Sequence, residues 1–480
     1  MSAKGEGAYN VVVIGAGTAG LVTAAGTAGL GGRVALVERQ RMGGDCLNTG
    51  CVPSKALIAS ARAAQHVREG RRFGLEGQEP RFRFEDVMER MRERRAHIAP
   101  HDSQERFESL GVDVFRGAAR FLSAREVEVD GRRLRARNFV IASGSRAALP
   151  PIEGLADAAP FTNETIFDEL RARPARMVVL GGGPIGCELG QAFARLGVRV
   201  TILEALPRLL DKEDAEAAAV VQGRLETEGV TVVTGARARR VSREGALTRV
   251  EVEGAPALEA EALLVAAGRR PNVEGLGLEA AGVAFDAKGV KVDSRLRTSQ
   301  PHIYAAGDVT GGHQFTHLAD HHARTVVRNI LVPLVKAKID TSVLPWCTYT
   351  SPEIARVGLG EAEARAQAVP HEVWMQPLAE VDRAVLESEE EGFAKVLTAA
   401  GSDRILGVTI VAERAGDLIH EFALAMKAGV GLKTISSTIH AYPTFAEVAR
   451  KAADRYQKSR LTPRTRRLFG WLYRRGLDTR

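Results

Sequence analysis

The feature that most restricts the fold of this chain is a pattern that occurs twice. In each copy an apolar run leads into three glycines and a helical segment, and a second apolar run ends at an acidic residue. The residues are Gly15, Gly17, Gly20 and Glu38 in the first copy and Gly181, Gly183, Gly186 and Glu204 in the second. In both copies the acidic residue follows the middle glycine by 21 residues. This pattern predicts strand, tight turn, helix and strand, the unit that binds dinucleotides.

Each position of the pattern has its own physical reason. The first glycine permits the tight turn, the middle one lets backbone N–H groups approach a pyrophosphate, and the third lets the helix pack on the strand. The acidic residue accepts hydrogen bonds from a ribose. The alternative, an ordinary strand-to-helix turn, does not explain two copies with equal spacing. We therefore predict two dinucleotide sites.

Further apolar runs end in small residues at Ser143 and Gly144, at Gly268, and at Gly307 and Asp308. Such runs are typical of strands buried on both faces. After residue 345, strand-like and helical segments alternate without a glycine pattern. We predict an α/β chain with two Rossmann-like dinucleotide-binding domains and a C-terminal α+β domain. The predicted segments are 1–150 and 275–340 for the first nucleotide domain, 151–274 for the second, 341–460 for the α+β domain and 461–480 for a basic C-terminal tail.

Composition excludes several other classes. With 45% apolar and 26% charged residues, the chain has an ordinary globular composition. No apolar run approaches the ~20 residues of a membrane-spanning helix, and no signal-peptide segment precedes the first predicted strand. Four cysteines in 480 residues argue against a disulfide scaffold and fit a reducing compartment. We expect a cytoplasmic protein.

The formal net charge of +7 is concentrated near the end of the sequence. Residues 451–480 contain ten Lys or Arg and two acidic residues, so the remainder is close to neutral. We therefore expect no nucleic-acid partner. Within 461–480, Trp471 and Tyr473 lie between arginine clusters. A helix packed on a partner subunit is the first interpretation of this tail, and peripheral contact with a membrane surface is the second.

Cys46 and Cys51 form a close pair in the segment MGGDCLNTGCVPSK, residues 42–55. In a regular helix this spacing is too long for a disulfide, which needs Cα atoms within about 7 Å, but the glycines around the pair allow an irregular turn. A structural metal site would need a second ligand pair, and Cys187 and Cys347 are isolated. A redox-active pair is therefore favoured over a metal site or an inert buried pair.

These motifs together resemble the flavoprotein disulfide reductases, the group of glutathione reductase, dihydrolipoamide dehydrogenase and mercuric reductase. The resemblance covers residues 9 to about 450 and rests on both glycine patterns, the cysteine segment, Ser143-Gly144-Ser145, Gly268-Arg269-Arg270-Pro271-Asn272 and Ala306-Gly307-Asp308. It implies FAD on the first pattern and a nicotinamide nucleotide on the second, with residues 341–460 as a dimerisation domain in a homodimer. The residues implied to contact cofactors also include Glu38, Gly44, Ser143, Gly144, Gly268, Gly307 and Asp308.

The resemblance also implies catalytic roles. Cys51 would lie against the flavin as the charge-transfer thiol, Cys46 would face the substrate as the interchange thiol, and Lys55 would pair with Glu188 near the flavin. A hydride that leaves as a thiolate creates negative charge, which a fixed cation stabilises. Glu204 would accept from a ribose 2′-hydroxyl and repel a 2′-phosphate, so NADH is expected over NADPH.

One motif departs from the family pattern. Members that exchange dithiols place a His before a Pro, followed by a Glu, as an acid/base dyad from the partner subunit. This chain has Tyr442 before the proline, followed by Glu447. Tyrosine, with a pKa of ~10, is a poor base beside histidine at ~6.5. His440 would lie on the same side of an extended segment as Tyr442 and could partly replace the base, or have a purely structural role.

Tyr442 therefore argues against a lipoamide or glutathione reductase and favours the mercuric reductase branch. No cysteine follows Cys347, however, so the C-terminal cysteine pair that delivers Hg²⁺ in mercuric reductase is missing. We predict an oxidoreductase that passes a hydride from NADH through FAD to a Cys46–Cys51 disulfide and on to an unassigned small-molecule, thiol or metal-ion acceptor. The rivals are a dihydrolipoamide dehydrogenase and, in another class, a redox-responsive binding protein that uses the basic tail.

A histidine cluster offers one further candidate. His313, His317, His321 and His322 lie within ten residues, and steps of four would align the first three on one helical face. Imidazoles at that spacing can hold a metal. The family places a helix here whose N-terminus meets the flavin, so we expect no resident metal.

Overall fold

The computed structural model describes residues 8–332 and 334–475, so residues 476–480 of the predicted basic tail lie outside the described part. It divides into two compact units. The described residues of Met1–His66, Glu79–Pro207 and Gly229–Asp340 form the first unit, and those of Val67–Gln78, Arg208–Glu228 and Thr341–Arg480 form the second.

A mainly parallel sheet begins the first unit. Its strands lie in the order Val112–Arg116, Val34–Glu38, Tyr9–Ile14, Arg132–Ile141, Glu126–Val129 and Ala119–Ser123, and Ile303–Ala305 also pairs with Arg132–Ile141. Val13 pairs with Leu36 on one side and with Val140 on the other. Val11 and Val13 belong to one core cluster, whereas Val12 and Ile14 belong to another. Both faces are therefore buried, which explains the uninterrupted apolar run.

A second parallel sheet repeats this arrangement within the same unit. Its strands lie in the order Thr231–Val233, Arg199–Leu203, Arg176–Leu180 and Ala262–Val265. Smaller antiparallel sheets consist of Ala238–Glu244, Leu247–Val252 and Leu258–Ala260, of Ser145–Ala147 with Arg269–Pro271, and of Phe285–Asp286 with Gly289–Val290. The helices of this unit are Thr18–Gly29, Gly44–Asn48, Cys51–Arg68, Phe84–Ile98, Gln104–Ser109, Ile166–Glu169, Pro184–Arg195 and Thr316–Leu331. The last two residues of Cys51–Arg68 are assigned to the second unit.

The second unit is built on an antiparallel sheet. Its strands lie in the order Pro345–Thr348, Glu353–Gly358, Ile405–Ala412, Phe393–Ala399 and His371–Pro377. Its helices are Ala215–Thr227, Glu361–Ala366, Asp382–Leu386, Ala415–Ala428, Leu432–Ser437, Glu447–Ser459 and Pro463–Arg475. These two architectures confirm the predicted α/β fold class with an additional α+β domain.

A buried ion cluster holds residues 208–228 in the second unit. The Lys395 side chain is 3% exposed, and its Nζ lies 2.9 Å from Asp214, 2.7 Å from Glu216 and 3.3 Å from Glu361. A buried ammonium requires such carboxylate partners. Nothing in the sequence indicated that helix Ala215–Thr227 groups with this unit.

Candidate active site

The first glycine turn distinguishes two kinds of glycine. Gly15 has a φ of +106°, and a Cβ there would lie 2.3 Å from the carbonyl oxygen of Ala142. A Cβ on Gly20 would lie 1.8 Å from the carbonyl oxygen of Gly15. The fold itself therefore requires these two glycines. Gly17 has a φ of −81°, and the nearest atom to its Cβ position is the Gly44 Cα at 3.8 Å.

The second turn repeats this difference. A Cβ on Gly181 would lie 2.6 Å from the carbonyl oxygen of Ala266, and one on Gly186 would lie 1.9 Å from that of Gly181. Gly183 has a φ of −75°, and no atom lies within 4 Å of its Cβ position. In both turns the middle glycine leaves open space that no contact within the described residues requires.

The helix that follows each turn makes this space suitable for an anion. Thr18–Gly29 starts directly after Gly17, and Pro184–Arg195 starts directly after Gly183; within the described residues no side chain caps either N-terminus. The first N–H groups of a helix and its positive end attract phosphates. The glycines and helix ends therefore fit the pyrophosphate of a dinucleotide at both turns.

The two acidic residues are fixed in the same way. Glu38 accepts hydrogen bonds from the backbone N–H groups of Ala16 and Gln40, both at 2.7 Å. Glu204 accepts from those of Gly182 at 2.6 Å and Leu206 at 2.7 Å. Each carboxylate oxygen keeps a further lone pair, which fits a ribose hydroxyl donor beside each glycine turn.

Other predicted cofactor residues lie shortly after the ends of strands in both parallel sheets. Gly144 and Gly268 have φ values of +68° and +119°, with no atom within 4 Å of either Cβ position. The Ser143 hydroxyl donates to the Asn272 carbonyl at 2.7 Å. The Ser145 hydroxyl donates to Asp308 at 2.6 Å, and burial raises the pKa of Asp308 above its usual range. Asp308 thus lies at the carboxyl ends of the strands, where ligands of parallel sheets bind.

The cysteine pair lies beside the first glycine turn. Cys46 is within the short helix Gly44–Asn48, and Cys51 is the first residue of Cys51–Arg68. Gly44 has a φ of +57°, and a Cβ there would lie 2.5 Å from the Gly17 Cα. Only glycine therefore allows this close approach. Both cysteines are free thiols, and they hydrogen bond to each other.

The two thiols differ in acidity. The pKa of Cys51 is lowered to about 6, chiefly because Cys46 donates a hydrogen bond to it. Thr316 Oγ1, which lies 3.4 Å from the Cys51 Sγ, and the positive charge of Lys55 also lower this pKa, whereas burial raises it. The same bond and burial raise the pKa of Cys46. At neutral pH the negative charge of the pair therefore lies on Cys51.

A cation lies one helical turn beyond Cys51. Lys55 Nζ is 2.7 Å from Glu188 Oε2, and the side chains are 35% and 7% exposed. Glu188 belongs to helix Pro184–Arg195, which starts at the second glycine turn. The ion pair therefore joins helix Cys51–Arg68 to the helix that follows the second glycine turn. Cys187, the neighbour of Glu188, is buried and donates to the Gly182 carbonyl at 3.3 Å.

Sequence reasoning missed three residues around the thiols. Thr316 bonds Cys51, and Arg269 forms a 2.9 Å ion pair with Asp45, the residue before Cys46. Arg269 Nε also donates to the Ser145 hydroxyl at 2.9 Å. The position of Asp45 in the cysteine motif was a usable signal for this ion pair, but nothing marked Thr316.

The structure corrects the expected alignment of three histidines on one helix. The helix starts at Thr316, so His313 lies outside it, and only His317 and His321 are separated by one helical turn. The rings of His313 and His317 instead stack on Phe315, with centroid distances of 5.8 and 5.3 Å.

His322 contacts the backbone at Gly307, shortly after strand Ile303–Ala305. Its Nδ1 accepts a hydrogen bond from the Gly307 N–H at 3.2 Å, and burial lowers the pKa of His322 to about 4. His322 is therefore neutral at physiological pH. Residues 8–332 and 334–475 contain no group of three or more His, Cys, Asp or Glu side chains able to hold a metal ion.

The second unit contains Tyr442 and Glu447, which occupy the positions of the family's acid/base dyad and are called the altered dyad below. The Tyr442 hydroxyl donates to Asp382 at 2.9 Å, which raises the pKa of Tyr442. The ring nitrogens of His440 lie 2.9 Å from Glu421 Oε1 and 2.9 Å from the Thr438 carbonyl oxygen. Tyr442 and His440 thus have separate partners.

Glu447 is 2% exposed. One of its carboxylate oxygens accepts from Arg450 at 2.9 Å, whereas the other is buried and has no hydrogen-bond partner among the described residues. A buried carboxylate oxygen without a hydrogen bond lowers the free energy of unfolding.

No helix in the described part of the chain has the length and apolarity needed to cross a membrane.

We call each glycine turn, with its helix and its acidic residue, a nucleotide cradle. The two nucleotide cradles and the acidic thiol of Cys51 define an oxidoreductase that moves electrons between bound nucleotides and a dithiol. Residues 9–323 match the pyridine nucleotide-disulphide oxidoreductase model, and residues 344–453 match the dimerisation domain of the same family. The chain belongs to the pyridine nucleotide-disulphide oxidoreductase family. This family uses FAD and a pyridine nucleotide, and the dimerisation domain supports a homodimer.

Several relatives are similar over nearly the whole chain. A mercuric reductase from Lysinibacillus sphaericus is 35% identical over 457 residues, 94% of this chain and 83% of the relative. A dihydrolipoyl dehydrogenase from Thermus scotoductus is 36% identical over 469 residues, 94% of this chain and 98% of the relative. A Cu(II) complex of the flavoprotein disulfide reductase RclA from Escherichia coli has a TM-score of 0.85 and 29% identity, covering 94% of this chain and 99% of RclA.

Proposed function

We propose that this protein passes a hydride from NADH through FAD to a disulfide of Cys46 and Cys51, and two electrons from the resulting dithiol to an acceptor. The observation that carries the proposal is the division of protonation within the pair. Addition of a hydride to a disulfide yields one thiolate and one thiol, and here Cys51 favours the thiolate while Cys46 stays protonated. FAD, when bound, supplies the coupling between hydride and thiol chemistry that side chains lack.

The chain's own residues then have defined roles. The first glycine turn and Glu38 bind the flavin nucleotide, and the second turn and Glu204 bind NADH. Lys55, held by Glu188, stabilises the thiolate on Cys51. Cys46 is left to attack or bind the acceptor.

The altered dyad selects the acceptor class. Reducing a disulfide substrate requires a base for Cys46 and an acid for the leaving thiolate. Tyr442 is bonded to Asp382 and has a raised pKa, and both ring nitrogens of His440 have partners. A thiophilic metal ion needs no proton donor. As it binds Cys51 and Cys46, the Cys46 proton is released to solvent, and the two electrons then pass to the metal as the disulfide reforms. We therefore propose an acceptor such as Hg²⁺, or two equivalents of Cu²⁺.

The names of similar proteins support this class. They include mercuric reductases at 34–35% identity and the Cu(II) complex of RclA. Dihydrolipoyl dehydrogenase, with a relative at 36% identity, is the second candidate. The altered dyad counts against it.

The exposed surface of the second unit is consistent with a homodimer. Leu386, Leu424, Ile439 and Tyr442 are between 68% and 98% exposed. Exposed apolar side chains of this size mark interaction surfaces. We propose that the dimer brings Tyr442 and Glu447 of one protomer toward the thiols of its partner, as the family resemblance implies.

An anaerobic assay of NADH oxidation tests the proposal. Purified protein is offered Hg²⁺, Cu²⁺, lipoamide, oxidised glutathione or a quinone as acceptor. We expect continuous turnover with a metal ion and its loss in Cys46→Ser and Cys51→Ser, whereas the matched control Cys347→Ser keeps it. Faster turnover of lipoamide would establish the dehydrogenase instead. A stop after about one equivalent of NADH with every acceptor would favour the redox-responsive binding protein.

A further inference from the structure

A helix follows the segment that matches the dimerisation domain. Pro463–Arg475 is specified locally: Thr462 Oγ1 accepts from the Thr465 N–H at 3.2 Å, and proline occupies the first helical position. Its sequence, PRTRRLFGWLYRR, contains five arginines and no acidic residue. We refer to it as the basic helix.

The basic helix exposes its apolar side chains. No residue from Pro463 to Arg475 is buried. Its five large apolar side chains are between 47% and 79% exposed: Leu468, Phe469, Trp471, Leu472 and Tyr473. The hydrogen bonds and ring contacts found for it within the described part of the chain join residues of 462–475 to one another. The apolar surface is therefore available to a partner.

Helical geometry sorts these side chains by face. Leu468 and Leu472 are one turn apart, and Phe469 lies beside both on the same side. Trp471 borders this stripe on one edge and Tyr473 on the other. Aromatic side chains at the borders of an apolar stripe are typical of helices at a membrane interface.

Three of the five arginines occupy the remaining surface, whereas Arg464 and Arg475 lie at the two ends of the helix on the side of Leu468. Arg467 and Arg474 lie opposite the apolar stripe, and Arg466 lies beyond Tyr473. The Arg475 guanidinium lies 4.5 Å from the centroid of the Trp471 ring, at the edge of the stripe. Cations at the edges of the stripe can bind anionic headgroups while the stripe enters the lipid.

We propose that the basic helix binds the surface of an anionic lipid bilayer, lying in its plane with the Leu468–Phe469–Leu472 stripe inserted. Charge complementarity selects this partner. A second copy of the helix would bring five more arginines against the first five without an acidic residue from either helix. A nucleic acid would match the arginines but would leave the apolar stripe in water. The proposal is independent of which acceptor the enzyme reduces.

Vesicle flotation of the full-length holoenzyme tests the proposal. We expect flotation with vesicles of equal parts phosphatidylglycerol and phosphatidylcholine at 0.1 M NaCl, and little with pure phosphatidylcholine. Salt at 0.5 M should weaken it, because exposed charges are screened. No flotation with anionic vesicles, or equal flotation with neutral ones, overturns the proposal.

Two double variants separate charge from insertion. Arg466→Gln with Arg467→Gln should weaken binding to anionic vesicles about 30-fold, from the usual contribution of arginine near such a surface. Phe469→Ser with Leu472→Ser should weaken it about tenfold or more, since the stripe loses its apolar area. Unchanged binding in the serine variant would exclude insertion.

A matched control removes two positive charges elsewhere. Arg120 and Arg125 are exposed residues of the first unit, so Arg120→Gln with Arg125→Gln should float like the unaltered protein. An equal loss in this control would show an effect of net charge alone and overturn the proposal. Sedimentation of each variant should show the same oligomer. If the serine variant dissociates and the unaltered protein does not float, the basic helix is a contact between copies, which also overturns the proposal.

Discussion

The acidity of Cys51 depends on two hydrogen-bond donors that can be removed one at a time. Thr316 Oγ1 lies 3.4 Å from the Cys51 Sγ, and Cys46 donates to the same sulfur. Thr316→Val keeps the shape of the side chain and removes its hydroxyl, whereas Thr316→Ser keeps the hydroxyl. Cys46→Ala and Cys46→Ser form the corresponding pair at the other donor.

The expected magnitude follows from the hydrogen bond. A bond to a charged group contributes about 1.5–3 kcal/mol, and the exposure of Cys51 places this bond at the lower end. About 1.4 kcal/mol corresponds to one pH unit. Since the bond stabilises the thiolate, its loss raises the pKa of Cys51. We expect Thr316→Val to raise this pKa by about one pH unit from its value of about 6.

Alkylation kinetics measure this pKa directly. In a Cys46→Ser background, the rate of iodoacetamide modification of Cys51 is followed from pH 4 to 10, and peptide mass spectrometry separates it from Cys187 and Cys347. The rate should rise through a midpoint near pH 6, because only the thiolate reacts. Adding Thr316→Val should move the midpoint upward, and adding Thr316→Ser should not.

Two results would refute this reasoning. A midpoint near 9 in the Cys46→Ser background would show that the surroundings of Cys51 do not favour its thiolate. An unchanged midpoint in both Thr316→Val and Cys46→Ala would show that neither donor controls it. In the latter case Lys55 would have to supply the effect alone, and Lys55→Met would carry the whole change.

Three further predictions test the nucleotide cradles and the altered dyad. Gly183→Ala should raise the KM for NADH without lowering the Tm, because its Cβ position is open. Gly186→Ala, whose Cβ would lie 1.9 Å from a carbonyl oxygen, should lower the free energy of unfolding by ~1–3 kcal/mol in a thermal melt. Equal effects of the two variants would contradict the assignment of open space at Gly183. Glu204→Ala should reduce the preference for NADH over NADPH in kcat/KM by ~30-fold, and an unchanged ratio would remove Glu204 from the ribose site. Tyr442→His should raise lipoamide turnover by ~10²–10⁴-fold, and no gain would mean that access and not proton transfer excludes this substrate.

The sequence by itself determined the two nucleotide cradles. A glycine turn, its helix and the following acidic residue occupy about 25 residues, so backbone geometry and hydrogen bonds within that span specify the unit. The spacing between Gly17 and Glu38 therefore indicated strand, turn, helix and strand without knowledge of the rest of the chain. The cysteine pair was equally evident, because its glycines and thiols are adjacent in sequence.

The tertiary structure decided the contacts that give these motifs their chemistry. Thr316 reaches Cys51 across 265 positions, and the Tyr442 hydroxyl donates to Asp382 across 60. Local propensity carries no information on such pairs, because they depend on which strand ends and helices the topology brings together. The part of the Cys51 acidity that comes from Thr316 depends on such a distant neighbour, so only the folded chain reveals it.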